Sequence, residues 1–475
     1  MIERLTSDSR RVTPGAAFFA WPGEAADGRR YVAQAVERGC AAVVWESEGF
    51  AWDGAWRAPN AGIRNLKAQA GFLAHEFYGR PSESMWVCGV TGTNGKTSSS
   101  QWLAHVLSIK KIKTAVIGTL GAGLPSSLIS IDNTTPEALE LHGLLAQFKT
   151  AGAKAVAMEV SSHGLDQGRV NGVAFDCALF TNLTHDHLDY HGTLAAYAAA
   201  KARLFEVPGL AAAVLNLDDP FGVELARRLA LRGVRTIGYS LSGVPSSEFI
   251  SVSSLVEEKA GQKARIDSSW GSAEVTIPQL GRFNAANALG VLGCLLAKGI
   301  AFEEAVGLLE TLPQVPGRMQ RIGDRPLVVV DYAHTPDALD KVLSALKPVA
   351  QARGGRLVAV FGAGGGRDKA KRPVMGSVAV ARADRIVLTS DNPRGEDPRA
   401  IIESIREGIG DVGGDCVVEP DRAKAIVAAI ASADAADVVL IAGKGHESFQ
   451  EIEGRRLPFS DATVAGAALA GRGGK

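Results

Sequence analysis

Residues 89–97 read Gly89-Val90-Thr91-Gly92-Thr93-Asn94-Gly95-Lys96-Thr97. The apolar stretch Met85–Val90 before this run predicts a buried strand, and Ser98–Lys111 after it predicts an amphipathic helix. A glycine-rich turn between strand and helix aims backbone N–H groups at a phosphate and adds the positive end of the helix dipole. Lys96 then reaches the terminal phosphates, and the Thr97 hydroxyl is placed for Mg²⁺. Val90 stands where the P-loop pattern has its first glycine, so an ordinary glycine turn is the alternative. Gly-Lys-Thr opening a helix after a strand favours a nucleoside triphosphate site formed by Gly92, Thr93, Asn94, Gly95, Lys96 and Thr97.

A chain of 475 residues is too long for one core. Helices alternate with short apolar strands, the pattern of parallel α/β domains. Strands are expected at Thr114–Thr119, Ala155–Val160, Cys177–Asn182 and Ala212–Leu217, then at Leu327–Asp331, Leu357–Phe361, Ile386–Ser390 and Val438–Ala442. Two turn-rich segments break the rhythm, Tyr78–Ser82 and Leu312–Gly317. They divide the chain into a small N-terminal α/β domain (1–83), a central P-loop domain (84–314) and a Rossmann-like C-terminal domain (315–475). Residues 241–274 are polar, read as irregular, and carry no motif.

Lys+Arg and Asp+Glu balance at 51 each, which leaves no electrostatic case for nucleic acid. Met1–Val12 is polar and charged, unlike a signal peptide. The most apolar long window, Ala425–Ala442, contains Asp434 and Asp437 and reads as helix then strand rather than membrane span. Five scattered cysteines fit core positions in a reducing compartment. A cytoplasmic enzyme, monomeric and free of membrane, is expected.

Glu159 closes an apolar strand in Met158-Glu159-Val160-Ser161-Ser162-His163, where a carboxylate beside a P-loop can hold a metal. The run Thr184-His185-Asp186-His187-Leu188-Asp189-Tyr190-His191 allows two readings. One is a zinc hydrolase site on His185, His187 and His191, although Tyr190 interrupts the usual spacing. The other is a magnesium site with one imidazole among oxygen ligands. Lys201, on a helix of strong formers, reads by itself as a solvated surface residue. The turn Asp391-Asn392-Pro393-Arg394 offers fixed polar heads, and Arg394 could fork onto a carboxylate.

Taken in order, Thr91–Thr97, Asn133-Thr134-Thr135-Pro136, Met158–His163, Thr184–His191, Lys201, Gly281–Asn287, Pro316-Gly317-Arg318, Asp331–Pro336 and Asp391–Arg394 resemble the Mur ligases of bacterial cell-wall synthesis, collinearly and over nearly the whole chain. The resemblance implies an ATP-driven amide bond between a UDP-N-acetylmuramoyl-L-alanyl-D-glutamate substrate and meso-diaminopimelate, through an acyl phosphate, with Mg²⁺ as cofactor. It implies phosphate or metal roles for Lys96, Thr97, Glu159 and His187, and a carbamate on Lys201 (N6-carboxylysine) that binds metal. Asn287, Arg318 and Asp331 become adenine, phosphate and ribose contacts. Ser9 and the loop Glu24-Ala25-Ala26 match uridine-side positions, and Thr134, Thr135, Ser161, Gln167 and Arg169 match contacts to the dipeptide end. Arg367, Asp391, Asn392, Pro393, Arg394, Gly443 and Glu447 match the diaminopimelate pocket. A lysine-adding ligase of the same family and folylpolyglutamate synthase are the nearest alternatives. The arginine of the Asp391–Arg394 turn argues against the first, and the N-terminal uridine-type domain against the second.

Overall fold

A computed structural model describes residues 1–23, 26–244, 246–258, 261–410 and 415–472. The P-loop strand, Trp86–Thr91, lies inside an eleven-stranded sheet, paired in parallel with Ala155–Glu159 on one side and Cys177–Phe180 on the other. Thr114–Gly118 extends the first side; Ala212–Asn216, Arg235–Ser240 and Glu248–Glu258 extend the second, all in parallel. Chain order reverses across the sheet at Trp86–Thr91: the next strands fall to one side, the later ones to the other. In open α/β sheets, ligands bind at such a reversal, beyond the carboxyl ends of the strands.

Both faces of this sheet are covered, which is why its inner strands are continuously apolar rather than alternating. On one face the helices Lys96–Ile109 and Arg282–Ala297 pack over Val90, Leu179 and Val214. On the other, Leu141, Leu145, Phe221 and Leu225 close over Val87, Val156 and Ala213. Cys88, Cys177 and Cys294 are free thiols in the first core, with Cys88 Sγ and Cys294 Sγ 3.8 Å apart. They behave as small apolar residues.

The large sheet is parallel at its centre and antiparallel at both edges. Residues 241–274 are not irregular: Glu248–Glu258 turns into Gly261–Ser268 and then Gly271–Ile277, an antiparallel ribbon. Its period of two was present in the sequence, since Ala264 and Ile266, then Val275 and Ile277, are buried while their neighbours face out. Charged outward positions masked the pattern. Antiparallel pairs also join Thr114–Gly118, Gly121–Leu124 and Ser127–Ile129 at the opposite edge.

A second sheet, all parallel, orders Arg4–Thr6, Ala16–Ala20, Ala42–Glu46 and Asn60–Ile63 in chain sequence. Helix Leu66–Phe77 covers one face through Leu66, Ala70 and Ala74. The third sheet runs Gln320–Asp324, Leu327–Asp331, Val438–Ala442, Leu357–Phe361, Arg385–Leu388 and Cys416–Val418, parallel except at its first strand. No helix among the described residues is long and apolar enough to cross a membrane.

Candidate active site at the P-loop and its C-terminal partner

Gly92 and Gly95 take φ of +150° and +87°. Neither position has room for a side chain: a Cβ on Gly92 would lie 1.9 Å from Thr181 Oγ1, and one on Gly95 2.4 Å from Asn287 Oδ1. The glycines therefore allow both the turn and its close contact with the neighbouring strand end and with Asn287. The Asn94 N–H donates to Asn182 Oδ1 at 3.0 Å and the Thr93 N–H to Asn182 O at 2.8 Å, fixing the loop from strand Cys177–Phe180 outward.

Two lysines converge on one carbonyl. Lys96 Nζ donates to Gly92 O and Thr93 O, both at 2.8 Å, and Lys201 Nζ donates to Gly92 O at 2.9 Å. Lys201 is 1 % exposed, so the reading of a solvated helix residue is wrong. Helix Leu194–Ala202 turns Tyr197, Ala200 and Lys201 inward against the loop, and the Lys201 ammonium sits 4.3 Å from the Tyr197 ring centre. Burial lowers the pKa of Lys201 well below the usual lysine value, and the Lys96 charge lowers it further; burial lowers Lys96 too.

Thr97 Oγ1 donates to Glu159 Oε2 at 3.0 Å. Glu159, 1 % exposed at the end of its strand, also accepts from the Thr119 N–H (2.8 Å) and the Thr119 hydroxyl (3.1 Å). A hydroxyl and a carboxylate in contact form a hard-oxygen donor set, which suits a divalent cation such as Mg²⁺. Thr119, which the sequence did not single out, links this cluster to Thr134 at 3.1 Å. Thr135 Oγ1 donates to Glu159 O at 3.0 Å and accepts from the Ser161 N–H at 2.9 Å. Arg169 donates to Thr135 O and Gln167 Oε1 and pairs with Glu137 at 3.0 Å. The positions matched to the dipeptide end thus form one connected network leading to Glu159.

Gln167 and Arg169 also line a cavity of ≈ 290 Å³ that runs to Phe19 of the N-terminal sheet and to Trp21 and Ala26 in the segment after it. Ser7 lines it as well. Ser9 does not; its hydroxyl is nearly buried and donates to Gln34 at 2.8 Å. Glu24 and Ala25 lie outside the described residues.

The imidazoles do not gather as a three-histidine zinc site would require. His185 is exposed, and among the described residues the three His, Cys, Asp or Glu groups with ligand atoms within 4.8 Å of one another are Cys88, Cys177 and Cys294. His187 instead faces His163, ring centres 4.8 Å apart, with φ of +54°. Desolvation by the groups around it lowers its pKa to about 4 against the opposing pull of Asp186, although the side chain is partly exposed.

The C-terminal domain closes on this cluster. Arg318 reaches Thr97 Oγ1 at 3.0 Å while its guanidinium stacks over Tyr332 at 4.4 Å. Asn94 Nδ2 approaches Asp337 Oδ2 at 3.4 Å. Asp331 is 8 % exposed, and its two oxygens accept from the Met319 N–H (2.7 Å) and the Ala333 N–H (2.8 Å).

Beyond the third sheet's strand ends lies the Asp391–Arg394 turn. Arg394 holds φ of +54°, an uncommon state for a residue with a Cβ. It is pinned there by its N–H to Glu451 O (3.0 Å) and the Glu453 N–H to its own carbonyl (2.6 Å). NH1 donates to Gly365 O at 2.6 Å, and Nε lies 3.5 Å from Glu451 Oε2. Arg367 is exposed, and a Cβ on Gly364 would lie 3.0 Å from Arg394 NH1 and 3.9 Å from Arg367 Cγ. Asn392 donates to Glu447 Oε2 at 2.8 Å, and the fully buried Lys444 donates to both Asn392 Oδ1 and Glu447 Oε2. A Cβ on Gly443 would sit 2.4 Å from Asp391 Oδ2, so the two loops touch there.

Residues 1–78 match the family described as "Mur ligase family, catalytic domain", residues 90–295 the Mur ligase middle domain, and residues 317–445 the Mur ligase glutamate ligase domain. The chain belongs to the Mur ligases. Within that family it is similar to two proteins named UDP-N-acetylmuramoyl-L-alanyl-D-glutamate–2,6-diaminopimelate ligase. One, from Janthinobacterium sp. (strain Marseille), is 49 % identical over 98 % of this chain and 94 % of its own length. The other, from Pseudomonas aeruginosa, is 49 % identical over 99 % and 95 %. A solved structure bearing the same enzyme name superposes with a TM-score of 0.71 at 37 % identity, covering 99 % of this chain and 95 % of that one. In this Mur ligase, Thr119, Tyr197, Lys444 and Glu451 touch the candidate site without having been flagged by motif; only their contacts reveal them.

Proposed function

We propose that this chain is an ATP-dependent ligase that adds meso-diaminopimelate to UDP-N-acetylmuramoyl-L-alanyl-D-glutamate and releases ADP and phosphate. Relatives with that name at 49 % identity over nearly the full length support the reading. The observation that carries the choice of amino acid is Arg394, held in a left-handed conformation beside the hydrogen-bonded Asn392 and Glu447. Meso-diaminopimelate differs from lysine by one distal carboxylate. A guanidinium facing that group is its simplest selector, since sites built around a polar partner reject analogues lacking it by factors of about 10⁴.

A carboxylate is a poor electrophile, so phosphoryl transfer to the substrate's D-glutamate carboxylate supplies a leaving group before the amine attacks. Gly92–Thr97 cradles the phosphates, and Lys96 exchanges two carbonyl acceptors for phosphate oxygens. Arg318 brings a second cation from the C-terminal domain, and Asn287 and Asp331 flank the nucleotide. Thr97, Glu159, His187 and Lys201 would hold Mg²⁺, which when bound offsets charge on phosphate and carboxylate oxygens. Two buried ammonium groups on one carbonyl are an unfavourable pair. If the Lys201 ammonium gives up one proton and the neutral amine then adds CO₂ with loss of a second, the cation becomes a carbamate anion and the repulsion is removed. Thr134, Thr135, Ser161, Gln167 and Arg169 orient the dipeptide end, and Ala26 belongs to the uridine side of the cavity.

The domain boundaries are placed at 83/84 and 314/315, and the enzyme works as a cytoplasmic monomer. Phosphate release with the UDP-dipeptide, comparing meso-diaminopimelate with L-lysine, tests the reading. Turnover with meso-diaminopimelate alone is the expected result; preference for L-lysine would make the chain the lysine-adding enzyme.

A further inference from the structure

Arg422 begins the helix Arg422–Ser432 and is 1 % exposed, yet it belongs to none of the motifs that define the site. Four of its five N–H donors have partners. Nε and NH2 fork onto Asp461 Oδ1 and Oδ2, both at 2.7 Å, and Asp461 is itself fully buried at the start of the last helix. The same guanidinium donates from NH1 to Ser390 O at 3.2 Å and from NH2 to Ala442 O at 2.9 Å. Those two carbonyls are not arbitrary. Ser390 is the residue immediately before Asp391, and Ala442 the residue immediately before Gly443. One planar group therefore spans the roots of the two loops that carry Asn392, Arg394 and Glu447.

The loops need such a tie. They leave the carboxyl ends of strands Arg385–Leu388 and Val438–Ala442, between which Leu357–Phe361 is inserted in the sheet, so no ladder hydrogen bond joins them directly. They meet only beyond the sheet, where Gly443 abuts Asp391 and where Asn392 and Lys444 share Glu447. Burial opposes the Arg422 charge, while Asp461 and then the pocket's own Asp391 and Glu447 favour it. The planar fork fixes both distance and angle, which a flexible point charge does not.

We propose that Arg422, held by Asp461, is a positioning residue for the amino-acid pocket: it sets the spacing of the Asp391–Arg394 and Gly443–Glu447 loops and so governs affinity for the incoming amino acid. This rests on the ligase reading given above. The test is steady-state kinetics of the full-length enzyme with Arg422→Lys and Asp461→Asn, varying each of the three substrates in turn. Lysine keeps the charge and loses the fork; asparagine keeps the shape and loses the charge. Each variant is expected to raise KM for meso-diaminopimelate by about tenfold or more, the loss of one charge-assisted hydrogen bond. KM for ATP and for the UDP-dipeptide should stay within about twofold, and kcat should fall less than KM rises.

If Arg422→Lys does not fold, Asp461→Asn carries the test alone. A merely structural role would lower the melting temperature and move all three KM values or kcat together. That result, or an unchanged KM for meso-diaminopimelate in a folded variant, overturns the inference. Wild-type enzyme that does not turn over meso-diaminopimelate overturns the ligase reading instead, and the inference with it; the wild-type control separates the two failures.

Discussion

Replacing Arg394 by alanine isolates the feature proposed to distinguish the two amino acids. The guanidinium has five N–H donors. Gly365 O takes one and Glu451 lies within ion-pair distance of another, which leaves donors for an incoming carboxylate. Alanine at φ of +54° bears the same left-handed cost as arginine, because both have a Cβ. The backbone term therefore cancels, and the measured loss belongs to the side chain. A hydrogen bond to a charged group is worth about 1.5–3 kcal/mol, which corresponds to roughly 10- to 150-fold in affinity. Glu451 adds to the effect: without Arg394 its carboxylate faces the ligand's carboxylate uncompensated. Arg394→Ala should thus raise KM for meso-diaminopimelate at least about tenfold and leave KM for ATP nearly unchanged. L-Lysine should not become a good substrate, since Arg367 still stands beside Gly364. The assay is phosphate release, giving kcat/KM for both amino acids in both proteins. Equal use of L-lysine by the wild type, or unchanged discrimination by the variant, would refute Arg394 as the selector.

Lys201→Ala should abolish most activity while the fold survives, and acetate or formate should restore part of the rate by standing in for the carbamate; full activity without additives would rule the carbamate out. Lys96→Ala should prevent acyl phosphate formation, so labelled oxygen from the dipeptide carboxylate would no longer appear in phosphate; normal transfer would exclude Gly89–Thr97 as the ATP loop. His142, fully buried with Nε2 2.9 Å from Asn171 O, has its pKa lowered by burial to about 4 from 6.5. The unfolded chain binds that proton first, so His142 contributes full stability above pH 6.5 and loses about 2 kcal/mol of it by pH 5; a His142→Gln variant whose melting temperature falls as steeply between pH 7 and pH 5 would contradict this.

What could be read from the sequence follows the distance over which each feature is built. The P-loop is a run of nine residues whose strand, turn and helix adjoin in the chain, so its spacing displays its geometry. The apolar strands beneath it were legible for the same reason: a strand covered on both faces writes its burial as a continuous run. Lys201 was misread because a helix of alanines has no strong apolar stripe to mark its buried face. Groups distant in the chain, Gly92 109 positions earlier among them, make that face internal. The ribbon at 248–277 was missed for the opposite reason, its alternation being real but diluted by charge on the solvent side.

The amino-acid pocket marks the limit of motif reading. Arg394 and Glu447 sit in recognisable turns, yet what fixes their separation is a guanidinium 28 and 25 positions away from each, tied in turn to Asp461, 39 positions further on. A motif records groups that touch substrate. It does not record the buried charge that spaces them, because that charge can be supplied from any element that reaches the strand ends. In this fold every strand of the third sheet but the first ends at the same rim, and the two loops leave it with Leu357–Phe361 between them. A selector built on two such loops requires a tie beneath them, and Arg422 is the group in contact with both roots. Specificity for a carboxylate one side chain's length from the reacting amine is then a property of two layers, the upper layer legible in sequence and the lower only in contacts.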